Sequence, residues 1–384
     1  MKKKILCLLQ VYLPGYKFGG PVRTLKNFVD HFGDEFEIKI ICQDRDILDI
    51  KPYKNIKLDC WTKVGKASVF YASKETLNLI GITNLLKNTS YELLYLNSFF
   101  NFKFTILPLF LRYLKLVPKK PCIISPRGEF SIEALKLKKH KKFLFIYFSK
   151  LINLYQNLFW QASSKIEKND IINNFGIDHQ KIYIAPNLTQ KVEKKIEYKK
   201  NKKKTLRLLF LSRISPMKNL DFLLKTLSFV NVPIKLDIKG TKENYGYLKQ
   251  CELLKKKLSK NIQVNFDKEI KQNQVKKIYK NFDLYVLPTR GENFGHTIFE
   301  SISNGLPAMI SDKTPWKHDY KGGIEVVPLI EKKWAKAIMN WAKLDYSTLY
   351  KKRQAALNYA NKYNLQIKAF EKNKKLIKSV MKRS

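Results

Sequence analysis

Acidic residues are what this 384-residue sequence is short of: 32 Asp and Glu stand against 74 Lys and Arg, a formal charge of +42. Such an excess draws a chain to polyanions, whether nucleic acid, an anionic membrane face or a phosphorylated substrate. It equally fits Lys scattered over helix faces and the C-terminal end. Cysteine is scarce as well. Cys7, Cys42, Cys60, Cys122 and Cys251 are odd in number and contain no C-x-x-C pair, which argues against a disulfide framework and suits a reduced, cytoplasmic chain. Long apolar runs are missing: the closest, residues 143–160, is broken by Lys150, Asn153, Gln156 and Asn157, short of the roughly 18 to 20 residues of a membrane span. The start, Met1-Lys2-Lys3-Lys4 before an apolar run over 5–9, mimics a signal peptide but has neither its length nor its cleavage site, and reads as a first strand. Zinc-finger spacing, an RNA-binding aromatic strand and a helix-turn-helix are absent, so nucleic acid is not the expected partner.

A hydrophobic content of 45% places the chain among globular proteins, and its length predicts two domains. Short apolar runs alternate with helical patterns, which points to parallel α/β sheets. In the first half the strands are expected at 5–9, 36–41, 93–96, 122–124 and 182–185, with helices over 22–32 and from Glu133 onward. Between Gln190 and Lys204 the apolar rhythm gives way to a Lys/Glu-rich stretch, read as a basic linker over 191–204. Strands resume at 206–211, 234–238, 264–266, 284–287 and 308–310, and Lys-rich helices follow from about residue 350.

Ligands of such sheets bind at the carboxyl ends of the strands, so the strand-end loops carry the chemistry. The run from Pro288 to Glu300 is a strand, a loop and a helix N-terminus. Its backbone N–H groups and positive dipole end suit a phosphate, and Glu292 and Glu300 flank it as acceptors for hydroxyls. Phosphate and polyol in one pocket suggest a sugar nucleotide. Thr297 with Glu300 also fits a capping box, and Glu292 a solvated loop acid. Ser212-Arg213-Ile214-Ser215-Pro216-Met217-Lys218 opens another helix, where Arg213 and Lys218 are able to grip a diphosphate from two sides. Lys239-Gly240-Thr241 belongs to the same edge.

In the first half, Gly19-Gly20 ahead of Pro21 lets backbone approach a bulky ligand, or is a plain turn. Asp44-Arg45-Asp46 tempts a Mg²⁺ assignment, against which stands a solvated or acceptor-facing pair of acids. Arg127 suits a phosphate or sugar carboxylate, or a surface pair with Glu129. The basic run 136–142 followed by Phe143, Phe145, Tyr147 and Phe148 suits a helix lying on an anionic bilayer, or a buried helix with a solvated basic end.

Four features stand in an order and spacing that resemble the retaining glycosyltransferases of family 4: the Arg213 to Lys218 loop, the Glu292 and Glu300 pair around Phe294-Gly295, Gly305-Leu306-Pro307, and Pro186-Asn187 before the linker. The Gly19-Gly20 loop agrees, and the resemblance covers nearly the whole chain. It implies the α/β GT-B fold, two Rossmann-like domains whose parallel sheets face a central cleft. The acceptor-binding domain would be 1–190, the donor-binding domain 205–365, and the last helix, 366–384, would return to the first domain. By the same resemblance Arg213 and Lys218 bind the donor's diphosphate, Glu300 the ribose hydroxyls and Glu292 those of the transferred sugar. Gly19, Gly20, Gly240 and the backbone of Phe294, Gly295 and His296 complete the donor site. Glu292, Arg213 and Lys218 form the catalytic set, and Asp44, Arg45, Arg127 and Glu129 are acceptor-side candidates. The resemblance implies no metal or other cofactor, which fits cations doing the work of Mg²⁺ on the leaving group.

Many members of that family carry a His where this chain has Pro126-Arg127. The departure points to a branch similar to the enzymes of lipopolysaccharide or capsule assembly. The expected activity is hexosyl transfer from a nucleotide-sugar donor to a glycan, in particular a lipid-linked one. Its expected place is the cytoplasm, with peripheral contact to the inner, anionic membrane face left open. A GT-B sugar-nucleotide epimerase and a basic nucleic-acid-binding protein are the alternatives.

Overall fold

The computed structural model describes residues 2–136, 138–193, 195–196, 198, 205–267 and 277–382. It divides into two compact units, Met1–Leu188 with Lys368–Ser384, and Thr189–Ile367.

Unit 1 begins β1 (Lys4–Leu8), α1 (Gly20–Phe32), β2 (Glu37–Gln43), β3 (Trp61–Val64), β4 (Ala67–Ala72), α2 (Leu79–Asn88) and β5 (Leu93–Leu96). A π-helical turn (Phe102–Ile106), α3 (Leu107–Tyr113), β6 (Cys122–Ile124), α4 (Ile132–Lys136), α5 (Lys139–Leu151), β7 (Phe159–Ala162), α6 (Lys165–Phe175) and β8 (Ile182–Ile184) follow. The strands are ordered β3-β4-β2-β1-β5-β6-β7-β8, and only β3, antiparallel to β4, breaks the parallel pairing. Both sheet faces are covered, which is why the central strands read as unbroken apolar runs. Leu6, Leu8, Leu94, Leu96 and Ile124 point to the layer of α2, α3, α5 and α6. Ile5, Cys7, Ile38, Ile40 and Ile123 point to α1 and to the chain's last helix.

Unit 2 runs β9 (Leu206–Leu211), α7 (Leu220–Leu227), β10 (Ile234–Lys239), α8 (Tyr245–Lys256), β11 (Ile262–Phe266), β12 (Leu284–Leu287) and α9 (His296–Ser303). It ends with β13 (Ala308–Ser311), β14 (Ile324–Val327), α10 (Glu331–Ala342) and α11 (Tyr346–Ile367). Its sheet, β11-β10-β9-β12-β13-β14, is parallel throughout. The final helix, α12 (Ala369–Met381), belongs to unit 1, where Leu376, Ile377, Val380 and Met381 are buried. Asn373 Nδ2 on this helix donates to the Pro186 carbonyl at 2.8 Å, and Phe370 stacks on Phe32 at 4.9 Å.

The described part of the Lys/Glu-rich stretch is fastened to unit 2. Glu193 N–H donates to the Ser303 carbonyl at 2.9 Å. Tyr198 stacks on Tyr346 at 5.4 Å and donates to Asp283 at 2.7 Å. Residues 194, 197 and 199–204 of the expected linker lie outside the described residues.

The sequence reading missed β3, β4, β7 and β14. The apolar run over 143–160 is not one helix: α5 ends at Leu151, the left-handed Asn153 (φ 53°) and Asn157 (φ 62°) turn the chain, and the run's last two residues open β7. Asn tolerates that backbone region better than most residues, so the two asparagines were the available signal.

Phe99, fully buried after β5, touches Phe130, Tyr155, Trp160 and Phe175 with centroids 4.3–5.9 Å away. Phe99→Ala should therefore lower the stability of unit 1 by about 3–5 kcal/mol, read as a shift of the denaturant midpoint reported by Trp160. An unshifted midpoint would mean that this aromatic cluster does not hold the unit.

Candidate functional site

In unit 2 the strand order reverses at β9, with β10 and β11 added on one side and β12, β13 and β14 on the other. The crevice at the carboxyl ends of β9 and β12 is a topological switch point, where doubly wound sheets take their ligands. Loops 212–219 and 288–295 leave the sheet there, beside loop 240–244.

Backbone contacts lock the first two loops together. Arg290 N–H donates to the Met217 carbonyl at 2.8 Å, Thr289 Oγ1 to the same oxygen at 3.1 Å, and Arg290 Nε to Asn219 Oδ1 at 3.0 Å. Behind them Ser311 Oγ donates to the Thr289 carbonyl at 2.6 Å, and Glu292 N–H to the Lys313 carbonyl at 3.1 Å. On this frame Lys218 Nζ forms an ion pair with Glu292 Oε1, the two side chains only 11% and 13% exposed. An ammonium carries three N–H donors, so one carboxylate contact leaves Lys218 capacity for an anion.

The third loop packs equally close. Ser212 N–H donates to the Lys239 carbonyl at 3.1 Å and Ile214 N–H to that of Thr241 at 2.9 Å. A Cβ on Gly240 would lie 1.8 Å from the Ser212 carbonyl oxygen, so only glycine fits. Arg213 turns to Glu243, with Nη1 3.3 Å from each carboxylate oxygen, and its side chain is 44% exposed.

Gly295, at φ 78°, forms the N-cap of α9 and makes no side-chain cap bond. Thr297 therefore lies inside the helix and not at the N-cap position a capping box needs, and its Oγ1 accepts from Tyr285 OH at 2.8 Å. Trp316 Nε1 fixes the Phe294 carbonyl at 2.5 Å, and the His296 ring lies edge-on to Phe294 at 4.7 Å. Glu300, within α9, meets the hydroxyl of the buried Tyr279 at 3.4 Å. Of the four groups expected to converge, Lys218 and Glu292 touch, Arg213 pairs with the neighbouring loop, and Glu300 meets a tyrosine from the turn before β12.

In unit 1, Gly19 (φ 75°) is the N-cap of α1 and Gly20 its first residue. Asp46 holds this loop by accepting from Tyr16 N–H at 2.6 Å and Lys17 N–H at 2.9 Å. Asp44 accepts from Arg45 Nε at 2.6 Å and Nη2 at 2.8 Å. The two aspartates thus serve different backbone and side-chain partners, and no group of three His, Cys, Asp or Glu side chains is placed to hold a metal among the described residues.

Arg127 does not pair with Glu129. In the left-handed region (φ 56°), it donates to Asn187 Oδ1, Tyr95 OH and Asn97 Oδ1, each at 2.7 Å. Glu129 accepts from Ser98 Oγ at 2.9 Å and Phe100 N–H at 3.2 Å, and from Phe99 N–H. Desolvation pushes its carboxyl above the usual range despite these donors. Sequence reasoning missed the polar chain behind Arg127, in which Tyr95 OH donates to Gln161, and Gln161 Nε2 donates to Asn373 Oδ1 at 3.0 Å. It also missed Arg290, Asn219 and Thr289. Single polar residues within apolar strands and turns carry no periodic signal.

Comparison with known proteins places these features. Residues 191–363 match the family Glycosyl transferases group 1. HepE of Anabaena, solved with UDP and glucose, superimposes with a TM-score of 0.67 at 14% identity over 98% of this chain and 99% of its own. WaaG, a glycosyltransferase involved in lipopolysaccharide biosynthesis, gives 0.61 at 14% identity over 96% and 98%. At such identities the likeness is one of fold. The GtfA subunit of the UDP-N-acetylglucosamine–peptide N-acetylglucosaminyltransferase of Streptococcus agalactiae is 27% identical over 107 residues, 28% of this chain and 21% of that relative. The chain therefore has the GT-B fold, and the loops of the switch point lie within the stretch that matches the Glycosyl transferases group 1 family.

Proposed function

We propose that the chain is a retaining, family 4 glycosyltransferase that moves a hexosyl group from a nucleotide sugar to a lipid-linked glycan at the cytoplasmic face of a membrane. The observation carrying this reading is the Lys218–Glu292 pair at the switch point, within the stretch that matches the group 1 family. A cation and a carboxylate on one rigid frame suit a donor that is an anion at one end and a polyol at the other. HepE, of like fold, was solved with UDP and glucose, which supports a nucleotide-sugar donor. WaaG, which acts in lipopolysaccharide biosynthesis, supports a surface-glycan acceptor.

In this reading Lys218 and Arg213 bear on the diphosphate, each exchanging a carboxylate partner for phosphate oxygens. Glu292, released from Lys218, accepts from the sugar's hydroxyls, and Glu300 from those of the ribose. The bond from the anomeric carbon to the phosphate oxygen breaks as the acceptor oxygen bonds to that carbon on the same face. The acceptor's proton passes to the departing phosphate. Charge on the leaving group is met by side-chain cations and the α9 amides, so no metal is required.

Lys218→Gln, which keeps a donor towards Glu292, should lower turnover by roughly a hundredfold or more, measured as nucleotide release; a near-normal rate would return the loop to surface charge. Glu300→Ala should weaken nucleotide-sugar binding roughly ten- to a hundredfold by calorimetry, and an unchanged affinity would remove the ribose assignment. Activity should survive EDTA, whereas loss restored by Mg²⁺ would revive Asp44 and Asp46. The donor itself can be found by thermal shift across UDP-, GDP- and ADP-sugars, since a ligand bound only by the folded state raises its stability.

A further inference from the structure

Among the described residues, 15 of the 26 exposed large apolar side chains fall between residues 79 and 166, under a quarter of the chain. All lie in the segment from α2 to the start of α6, whose helices cover one face of the unit 1 sheet. The densest set is on α5. Phe143, Leu144, Tyr147, Phe148 and Leu151 recur at i, i+1, i+4, i+5 and i+8, a single helical stripe, and are 54–66% exposed. The opposite side of the helix is anchored by the buried Ile146 and Ser149, so the stripe is a fixed outer surface. Phe110, Tyr113 and Leu116, on and just after α3, are exposed as well.

Charge decides what would cover it. Residues 93–166 hold thirteen Lys and Arg against two acids, Glu129 and Glu133. Glu129 is turned inward to Ser98 and the Phe99 and Phe100 amides, and Glu133 is paired with Lys136 at 2.8 Å. Lys138, Lys139 and Lys141 stand exposed at the start of α5, and Lys150 near its end. A two-fold contact with a second copy would set this patch against itself, like charge facing like charge. An anionic bilayer opposes it with the other sign, while the apolar stripe enters the acyl boundary and the lysines reach the headgroups.

We infer that the outer face of α5 is a docking surface for an anionic lipid bilayer, with Phe143, Leu144, Tyr147, Phe148 and Leu151 as the inserted stripe. The inference deepens the function proposed above by naming the surface that meets the membrane, and its test needs no turnover. The intact chain is floated with vesicles of phosphatidylcholine alone, or of phosphatidylcholine with phosphatidylglycerol. Binding is expected to the anionic vesicles, weakened by salt. Lys139→Glu with Lys141→Glu should reduce it by about tenfold or more, and Phe143→Ser with Phe148→Ser by a similar factor. Both double variants should keep the unfolding midpoint and the nucleotide affinity of the parent, because the altered side chains are exposed and outside unit 2. Failure of the parent to bind either vesicle, or variants that bind as the parent does, would overturn the inference. So would a parent dimer that Phe143→Ser with Phe148→Ser converts to monomer, since that result assigns the face to a second copy. Vesicle binding without nucleotide-sugar turnover would leave this surface standing and sink the transferase reading; turnover without vesicle binding would do the reverse.

Discussion

Lys218 and Glu292 are 74 positions apart in sequence and meet because β9 and β12 are hydrogen-bonded neighbours. The pair is a poor investment as a source of stability: exposed ion pairs contribute about 0.2–1 kcal/mol, and withdrawing two charges from water offsets much of any gain. Rigidity comes instead from uncharged contacts, the Arg290 and Thr289 donors on the Met217 carbonyl and the Ser311 hydroxyl on that of Thr289. The frame holds the loops and the charges are carried on it. Two opposite charges on a frame that does not need them are suited to exchanging each other for a ligand that bears an anion and hydroxyls.

The two units spend charge differently. In unit 2 the cations of the switch point are matched one to one, Lys218 by Glu292 and Arg213 by Glu243. In unit 1 the Lys and Arg of residues 93–166 outnumber their acids more than sixfold and share their surface with unburied aromatic and aliphatic side chains. Matched charge in a crevice suits a small ligand that must come and go. Unmatched charge on an apolar face suits an extended anionic surface. The net +42 is therefore not one property but the sum of local arrangements with different consequences.

Legibility followed burial. Strands buried on both faces showed themselves as apolar runs, and 93–96, 122–124, 206–211 and 284–287 have the expected bounds. The β3–β4 hairpin lies at a sheet edge, where Trp61 and Lys63 are exposed and the pattern is diluted. β7 was hidden because Phe159 and Trp160 close an apolar run that begins in α5, and a run of that kind does not announce where helix gives way to strand. At the site, spacing identified the loops that bear Lys218 and Glu292 because strand-end loops of a parallel sheet share an edge whatever their distance in sequence. It did not foresee that Arg213 would turn to Glu243, or that Asp46 would hold the Gly19 loop. Those choices depend on side chains brought close only by the fold, and so does the line from Arg127 through Tyr95 and Gln161 to Asn373.

The account turns on where a nucleoside diphosphate settles in unit 2, and the most direct test is a crystal structure of the chain with the nucleotide sugar that stabilises it most. The account predicts diphosphate oxygens within hydrogen-bonding reach of Lys218 Nζ, the Lys218–Glu292 contact opened, and the ribose hydroxyls on Glu300. A nucleotide bound elsewhere with that contact still closed would contradict it.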